Sequence, residues 1–262
     1  RYAADKVILA AGGSSAPNLG SNGTGFRIAA ALGHQLIEPF PALVQLCLEE
    51  SFLKTVKGLK IDGRVQVHVN GRPKRAETGE ILFADYGISG PPVLDVSRDA
   101  SEGLQKGQPV EISLDQFPQW TAAELTGKIK RRFEIAPHKT AEFALVGFLH
   151  KRLIPVVLKS TGVPNLHVPC GSLTEEQVRS IAIFLKDWRM PCTATQSWMY
   201  SQVTAGGVDT REVDARTLES RRVPGVYLAG EVLDVDGDCG GFNLQWAWTS
   251  GHITGEEAAT AL

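Results

Sequence analysis

The sequence is poor in cysteine and has no cysteine pattern. Cys47, Cys170, Cys192 and Cys239 lie far apart with no C-x-x-C pair. That spacing argues against a zinc ribbon or a disulfide framework and fits a reducing, cytoplasmic setting. The six histidines show no metal-ligand spacing, so no metal site is expected. Net charge is −2 over 262 residues, which gives no overall pull toward nucleic acid or an anionic membrane. No apolar run approaches the roughly 20 residues that span a bilayer, and no charged-then-apolar leader is recognisable.

What is present describes a globular chain. A hydrophobic fraction of 43%, a charged fraction of 21% and 27 glycines suit one large domain or two smaller ones. The chain opens Arg1-Tyr-Ala-Ala-Asp5 without Met and runs straight into Val7-Ile-Leu-Ala-Ala-Gly-Gly13, as a piece of a longer fold would. That segment reads as a buried parallel strand ending in a tight turn. Gly23-Thr-Gly25 should start a helix that Gly33 stops.

Beyond Pro41 the pattern turns to strands. Val65-Gln-Val-His-Val69 alternates and runs into Asn70-Gly71, a hairpin signal, while Glu80–Phe83 and Pro109–Leu114 continue the period of two. From Thr121 the period becomes helical over Thr121–Phe133, Thr140–Leu158 and Thr174–Trp188, the last with capping-box spacing between Thr174 and Gln177. After Pro191 strands return, with Gly206-Gly207 read as a turn and Gly225-Val-Tyr-Leu-Ala-Gly230 as a second buried strand. A last helix is expected over 243–262. The two apolar strands stand at opposite ends of the chain, so the stretch between 42 and 192 reads as an insertion.

Chemistry concentrates after the second strand. Gly230-Glu231 sits at a strand's carboxyl end, where open α/β sheets bind ligands, and Gly240-Gly241 hands the chain to a helix N-terminus. Backbone N–H groups around Phe242, Asn243, Leu244 and Gln245 could hold the negative charge of a reduced flavin. On chemistry alone the same glycines also read as plain turns, and Glu231 as a solvated strand end. Several other motifs are decoys. Gly20-Ser-Asn-Gly-Thr-Gly25 lacks the third glycine of a dinucleotide loop. Asp234, Asp236 and Asp238 imitate a calcium loop that Cys239 and Gln245 spoil. Ser89 between glycines reads as a structural turn rather than a nucleophile elbow. Lys128-Ile-Lys-Arg-Arg132 reads as a solvated helix face.

Three separated stretches, Val7–Gly13 with Gly23–Ala29, Leu82–Leu94, and Gly225–Gly251, together resemble the BaiN-type family of NAD(P)/FAD-dependent oxidoreductases, which includes aminoacetone oxidases. The resemblance covers essentially the whole chain. It implies an α/β fold: a partial FAD-binding Rossmann-type fold of the two-dinucleotide-binding-domain kind, with an inserted β-barrel and helical domain. The corresponding boundaries are 1–41 and 194–262 for the FAD-binding domain, 42–120 for the barrel and 121–193 for the helical domain. By position, Ala11, Gly12 and Gly13 would lie near the ADP half of FAD and Gly230 and Glu231 near the ribityl chain. Gly241, Phe242, Asn243, Leu244 and Gln245 would lie beside the isoalloxazine.

The family's opening strand and Gly-x-Gly-x-x-Gly turn would precede Arg1. Ala84-Asp85 stands where many relatives have Thr-His, so no role of that His carries over. The expected activity is transfer of a hydride or electron pair between a small organic substrate and NAD(P)H or oxygen. No catalytic acid or base is assigned and no oligomeric state follows. The alternative is a non-catalytic truncated fragment that binds no flavin by itself.

Overall fold

A computed structural model describes residues 3–260. The chain forms two compact units. The first contains residues up to Gln45, Ser97–Gly107 and the stretch from Ala194 onward; the second contains Leu46–Val96 and Gln108–Thr193.

In the first unit the apolar runs at the two ends of the chain come together. Strand β1 (Val7–Leu9) pairs in parallel with Val226–Leu228, with Val7 opposite Val226 and Leu9 opposite Leu228. The two strands are not buried alike. Val226, Tyr227 and Leu228 are all buried, whereas Val7 is 51% and Ile8 41% exposed, so the expectation of a strand covered on both faces fails for β1. Helix α1 (Thr24–Ala31) packs Phe26 and Ala29 into a core with Leu9, Leu228 and Val232. Gly25 makes that packing possible, since a Cβ there would stand 2.9 Å from the Ala11 Cβ.

Strand β2 (Leu36–Ala42) pairs antiparallel with Val203–Val208 and carries a register shift between Ile37 and Phe40. Gly206 and Gly207 therefore lie within a strand instead of forming a turn. Their φ values of 84° and 132° open the left-handed region, and a Cβ would meet Glu38 O at 2.7 Å and Val232 O at 2.9 Å. Glycine here lets three backbone segments close on one another.

The second unit holds a closed six-stranded barrel. Its strands are β3 (Leu46–Leu48), β4 (Lys60–Val69), β5 (Arg72–Phe83), β6 (Gly87–Ser89), β7 (Val110–Asp115) and β8 (Trp188–Thr195), in the order β3-β6-β5-β4-β7-β8. A short helix, α2 (Leu53–Val56), follows β3. Val65, Val67, Ile81, Phe83, Ile112 and Leu114 alternate along their strands and are fully buried. The β4–β5 hairpin turns at Asn70 and Gly71 with φ of 52° and 70°, the two positive angles of a type I′ turn. The barrel thus draws its last strand from 188–195, beyond the helical stretch.

Helix α3 (Pro91–Gln105) was not expected, and its first residues fall in the second unit and its remainder in the first. Proline at a helix start costs nothing, because its missing N–H has no intrahelical partner anyway. Val93, Val96 and Ala100 then bury one face at helical spacing. Ser89, read from sequence as part of a turn, is instead the last residue of β6, with Gly90 leading into this helix.

The helical part of the second unit comprises α4 (Ala122–Ile135), α5 (Ala141–Ala144), α6 (Ile154–Ser160) and α7 (Glu175–Lys186), packed around Leu125, Ile129, Ile154, Leu158, Ile181 and Leu185. The helix expected over Thr140–Leu158 is two short ones. The first is capped at Leu145, Gly147 follows at φ 79°, and Pro155 sits in the first turn of the second. Reciprocal capping boxes open α4 at Thr121 and Glu124 and α7 at Thr174 and Gln177. Thr174→Ala should remove about 1 kcal/mol from this part, read as a lower thermal midpoint than wild type.

The last element, α8 (Phe242–Thr260), belongs to the first unit; Ser250 and Thr254 are its buried residues. Strand Val203–Val208 is β9 and Val226–Leu228 is β10.

Candidate functional site

Within the first unit a cavity of about 340 Å³ opens where the ends of β1 and β10 meet the start of α8. Gly12, Gly230, Glu231, Asn243 and Leu244 line it, together with Trp246. The chemistry of its wall follows from two glycines. Gly12 and Gly230 hold φ of 67° and 74°, and a Cβ on Gly230 would have Ala247 as its nearest neighbour at 3.9 Å. Bare backbone therefore faces open space, and a side chain would fill it.

Several polar groups of the wall are paired with one another. The Gly230 N–H donates to Ser250 Oγ at 2.8 Å, and the Trp246 indole donates to Gly230 O at 3.2 Å. The Asn243 amide accepts from Gly237 N–H at 2.9 Å and donates to Gly237 O at 2.8 Å, pinning the loop before α8. The intrahelical ladder of α8 begins with Gln245 N–H on Gly241 O, which leaves the N–H groups of Phe242, Asn243 and Leu244 outside it.

Glu231 carries the densest contacts. One carboxylate oxygen accepts from Gly13 N–H at 3.1 Å and the other from Thr204 N–H at 2.6 Å. Thr204 Oγ1 in turn accepts from the N–H groups of Ser14 at 2.8 Å and Ser15 at 3.1 Å. The side chain that lines the cavity also clasps the turn after β1 to the start of β9. Burial pushes the Glu231 carboxyl above the ordinary carboxylate range, against the pull of the Thr204 and Gly13 N–H groups.

Five of the ten residues singled out from sequence line the cavity. Gly13 lies behind it, with no space for a Cβ: Thr204 Oγ1 would stand at 2.2 Å and Glu231 Oε2 at 2.8 Å. Ala11 and Gly241 are exposed outside it, Phe242 is 63% exposed, and Gln245 turns to Thr249 at 2.9 Å. Sequence reasoning missed Gln202 and Val203, which line the cavity from β9 and its approach, and Thr204 and Ser250. The Trp246-to-Ser250 spacing of one helical turn before Gly251 was the available signal for the last. The aspartates of the false calcium loop have structural partners: Asp234 accepts from Gly206 N–H at 3.1 Å, and Asp236 pairs with Arg98 at 2.8 Å.

A second cluster imitates catalysis. Ser220 Oγ lies 2.9 Å from His34 Nε2, and His34 Nδ1 lies 3.0 Å from Glu212 Oε2, all three buried. Ser220 Oγ also accepts the N–H groups of Arg222 at 3.0 Å and Val223 at 2.9 Å. Both lone pairs are engaged, so the hydroxyl is no nucleophile. Arg222 holds the Glu212 carboxyl below the usual carboxylate range, and the cluster ties α1's end to the approach to β10.

The family model "HI0933-like protein Rossmann domain" matches residues 1–257. The chain belongs to this family. At the level of the family the chemistry is flavin-dependent oxidoreduction with FAD as cofactor. The 3-dehydro-bile acid delta(4,6)-reductase of Clostridium scindens is 37% identical over 99% of this chain and 63% of its own length. The ribosomal RNA dihydrouridine synthases of Escherichia coli and Haemophilus influenzae are each 31% identical, over 98% and 94% of this chain and 61% and 58% of their own. The chain thus spans about three-fifths of the length of these curated relatives. Among the described residues no helix is long and apolar enough to cross a membrane.

Proposed function

We propose that this chain supplies the flavin-facing part of an FAD-dependent reductase acting on a carbon–carbon double bond conjugated to a carbonyl. The observation that carries the reading is the cavity in which the bare backbones of Gly12 and Gly230 face the start of α8. A phosphate, ribityl chain or flavin edge can approach backbone there, where a Cβ would exclude it. The chain spans about three-fifths of its relatives' length, and in this reading it provides one share of the site.

When bound, FAD supplies hydride transfer. The residues present fit that group. The N–H groups of Phe242 to Leu244, at the positive end of a 19-residue helix, would hold negative charge accumulating on a reduced ring. Gly12 and Gly13 would lie toward the ADP half. Glu231 and Thr204 keep the turn after β1 in register with β9, and Asn243 fixes the loop that meets the helix.

The named reactions of the relatives support the substrate class. A 3-oxo steroid unsaturated at positions 4 and 6 and a uracil ring share an alkene polarised by a carbonyl, the bond that accepts hydride most readily. A reductase needs a donor, for which NAD(P)H is the fitting choice, and a cytoplasmic location accords with it. A second reading, a chain that binds no flavin alone, is favoured by the exposure of Val7, Ile8 and Phe242.

The test is to desalt two purified proteins, this chain and a version extended to its relatives' length, after incubation with FAD. Retained flavin absorbance in the extended protein, bleached by NAD(P)H and restored by an enone, is expected. Colour in the extended protein alone selects the second reading for the isolated chain. Absence of flavin from both would overturn the proposal.

A further inference from the structure

The overall charge of −2 conceals a division. Residues 121–186 carry ten Lys and Arg against five Asp and Glu, leaving seventeen against twenty-four in the rest. The helical part is a cationic body in an anionic chain.

Its cations are held in an unusual way along one strip of α4 and its neighbours. Lys128 Nζ lies 4.4 Å from the centroid of the Trp120 ring, which stacks on Phe117 at 5.3 Å. One turn on, the Arg132 guanidinium lies 5.9 Å from the Phe148 ring and donates to the carbonyls of Ala144 and Val146. Lys139 Nζ lies 4.9 Å from the Phe143 ring. Among the described residues none of these three cations, nor the exposed Arg131, forms an ion pair. By contrast Lys130, on the other side of the helix, pairs with Glu175 at 2.5 Å. Glu124, one turn before Lys128, is engaged in its own capping box.

A ring restrains a cation without neutralising it. Such a cation keeps its full charge while losing less side-chain freedom when a partner arrives. A row of restrained, uncompensated charges suits a partner whose anions repeat at intervals. Beside the row, Ile135, Phe143 and Val146 are 75%, 56% and 45% exposed and flank a surface cavity of about 310 Å³ with Arg132 and Lys139. Apolar surface interleaved with fixed cations fits sugar and base edges between phosphates.

We propose that this strip, Lys128, Arg131, Arg132 and Lys139 with Phe143 and Ile135, is a docking surface for structured RNA. The choice of RNA among polyanions rests on the reading above, in which a uracil ring is one of the acceptable alkenes; the binding itself needs neither flavin nor turnover.

The experiment measures anisotropy of a fluorescein-labelled RNA stem–loop titrated with the full chain at several salt concentrations. The wild type is compared with the triple variant Lys128→Ala, Arg131→Ala, Lys139→Ala and with the control triple Lys54→Ala, Arg64→Ala, Lys74→Ala. The first triple should lower the slope of log affinity against log salt by roughly 2–3. The control should match wild type, and circular dichroism should show both folded. Equal slopes in the two triples would overturn the proposal. So would binding to polyglutamate or to phosphatidylglycerol vesicles at least as tight as to the RNA, which would reassign the strip to an acidic protein or a membrane. Loss of RNA binding in a protein that still takes up FAD leaves the reductase reading intact.

Discussion

Gly13→Ala should destabilise the first unit by about 2–4 kcal/mol, through overpacking and the loss of hydrogen bonds around it. The added Cβ would lie 2.2 Å from Thr204 Oγ1 and 2.6 Å from Thr204 Cβ. Neither atom can retreat freely, because Thr204 Oγ1 accepts from Ser14 and Ser15 and lies 3.1 Å from Ser15 Oγ. Gly13 is fixed from its own side as well, its carbonyl accepting from Gly23 N–H at 3.0 Å and Ser21 Oγ at 2.6 Å. The thermal transition of this unit should fall by roughly 5–10 °C. Gly127→Ala is the control: at an exposed position of α4, with nothing within 4 Å of the new Cβ, it should stabilise by up to about 1 kcal/mol. A Gly13→Ala midpoint equal to wild type would mean that the turn after β1 is loose rather than clasped.

The second large effect belongs to Glu231. Removing its carboxylate strands the N–H groups of Gly13 and Thr204, so Glu231→Ala should cost about 2–4 kcal/mol. Glu231→Gln keeps one acceptor oxygen and should cost about half of that. The pH dependence has a definite sign. Burial raises the folded carboxyl's pKa, so the folded state retains a proton that the unfolded chain releases. Stability from this group is full below the ordinary carboxylate value and is lost as pH rises through the raised one. Denaturant titrations across the mildly acidic range should show that decline in wild type and not in Glu231→Gln. If Glu231→Ala weakens flavin binding with no change in stability, the carboxylate faces the cofactor and the clasp is incidental.

Local chemistry carried much of the fold into view. The hairpin at Asn70-Gly71 and the capping box at Thr174 depend on residues within four positions of each other, so sequence proximity reports them directly. Helix α3 escaped because Pro91-Pro92 masks its start, although Val93, Val96 and Ala100 stand at helical spacing. Gly206-Gly207 misled for the opposite reason. Glycine pairs mark turns when the constraint is local, but here the demand came from Glu38 and Val232, which are distant in sequence. The cavity was legible where a motif supplied its own wall, at Gly230-Glu231 and Asn243-Leu244. Gln202, Val203 and Thr204 have no motif, and their role exists only because β9 lies beside the turn after β1. The basic run Lys128–Arg132 was visible in the sequence as a solvated helix face, but its ring partners Trp120, Phe148 and, for Lys139, Phe143 come from the fold.

The pairing of Val7 with Val226 also sets a timetable. A ribosome adds about 5–20 residues each second, so β1 emerges roughly 10–40 s before its partner has been synthesised. Through that interval an apolar strand and its glycine turn wait without the backbone acceptors that will hold them. The barrel and helical part, built from pairings that close sooner, can finish first. Closure of the cavity thus waits on the synthesis of β10 and α8, and β1 spends longer without its partner strand than any barrel strand does.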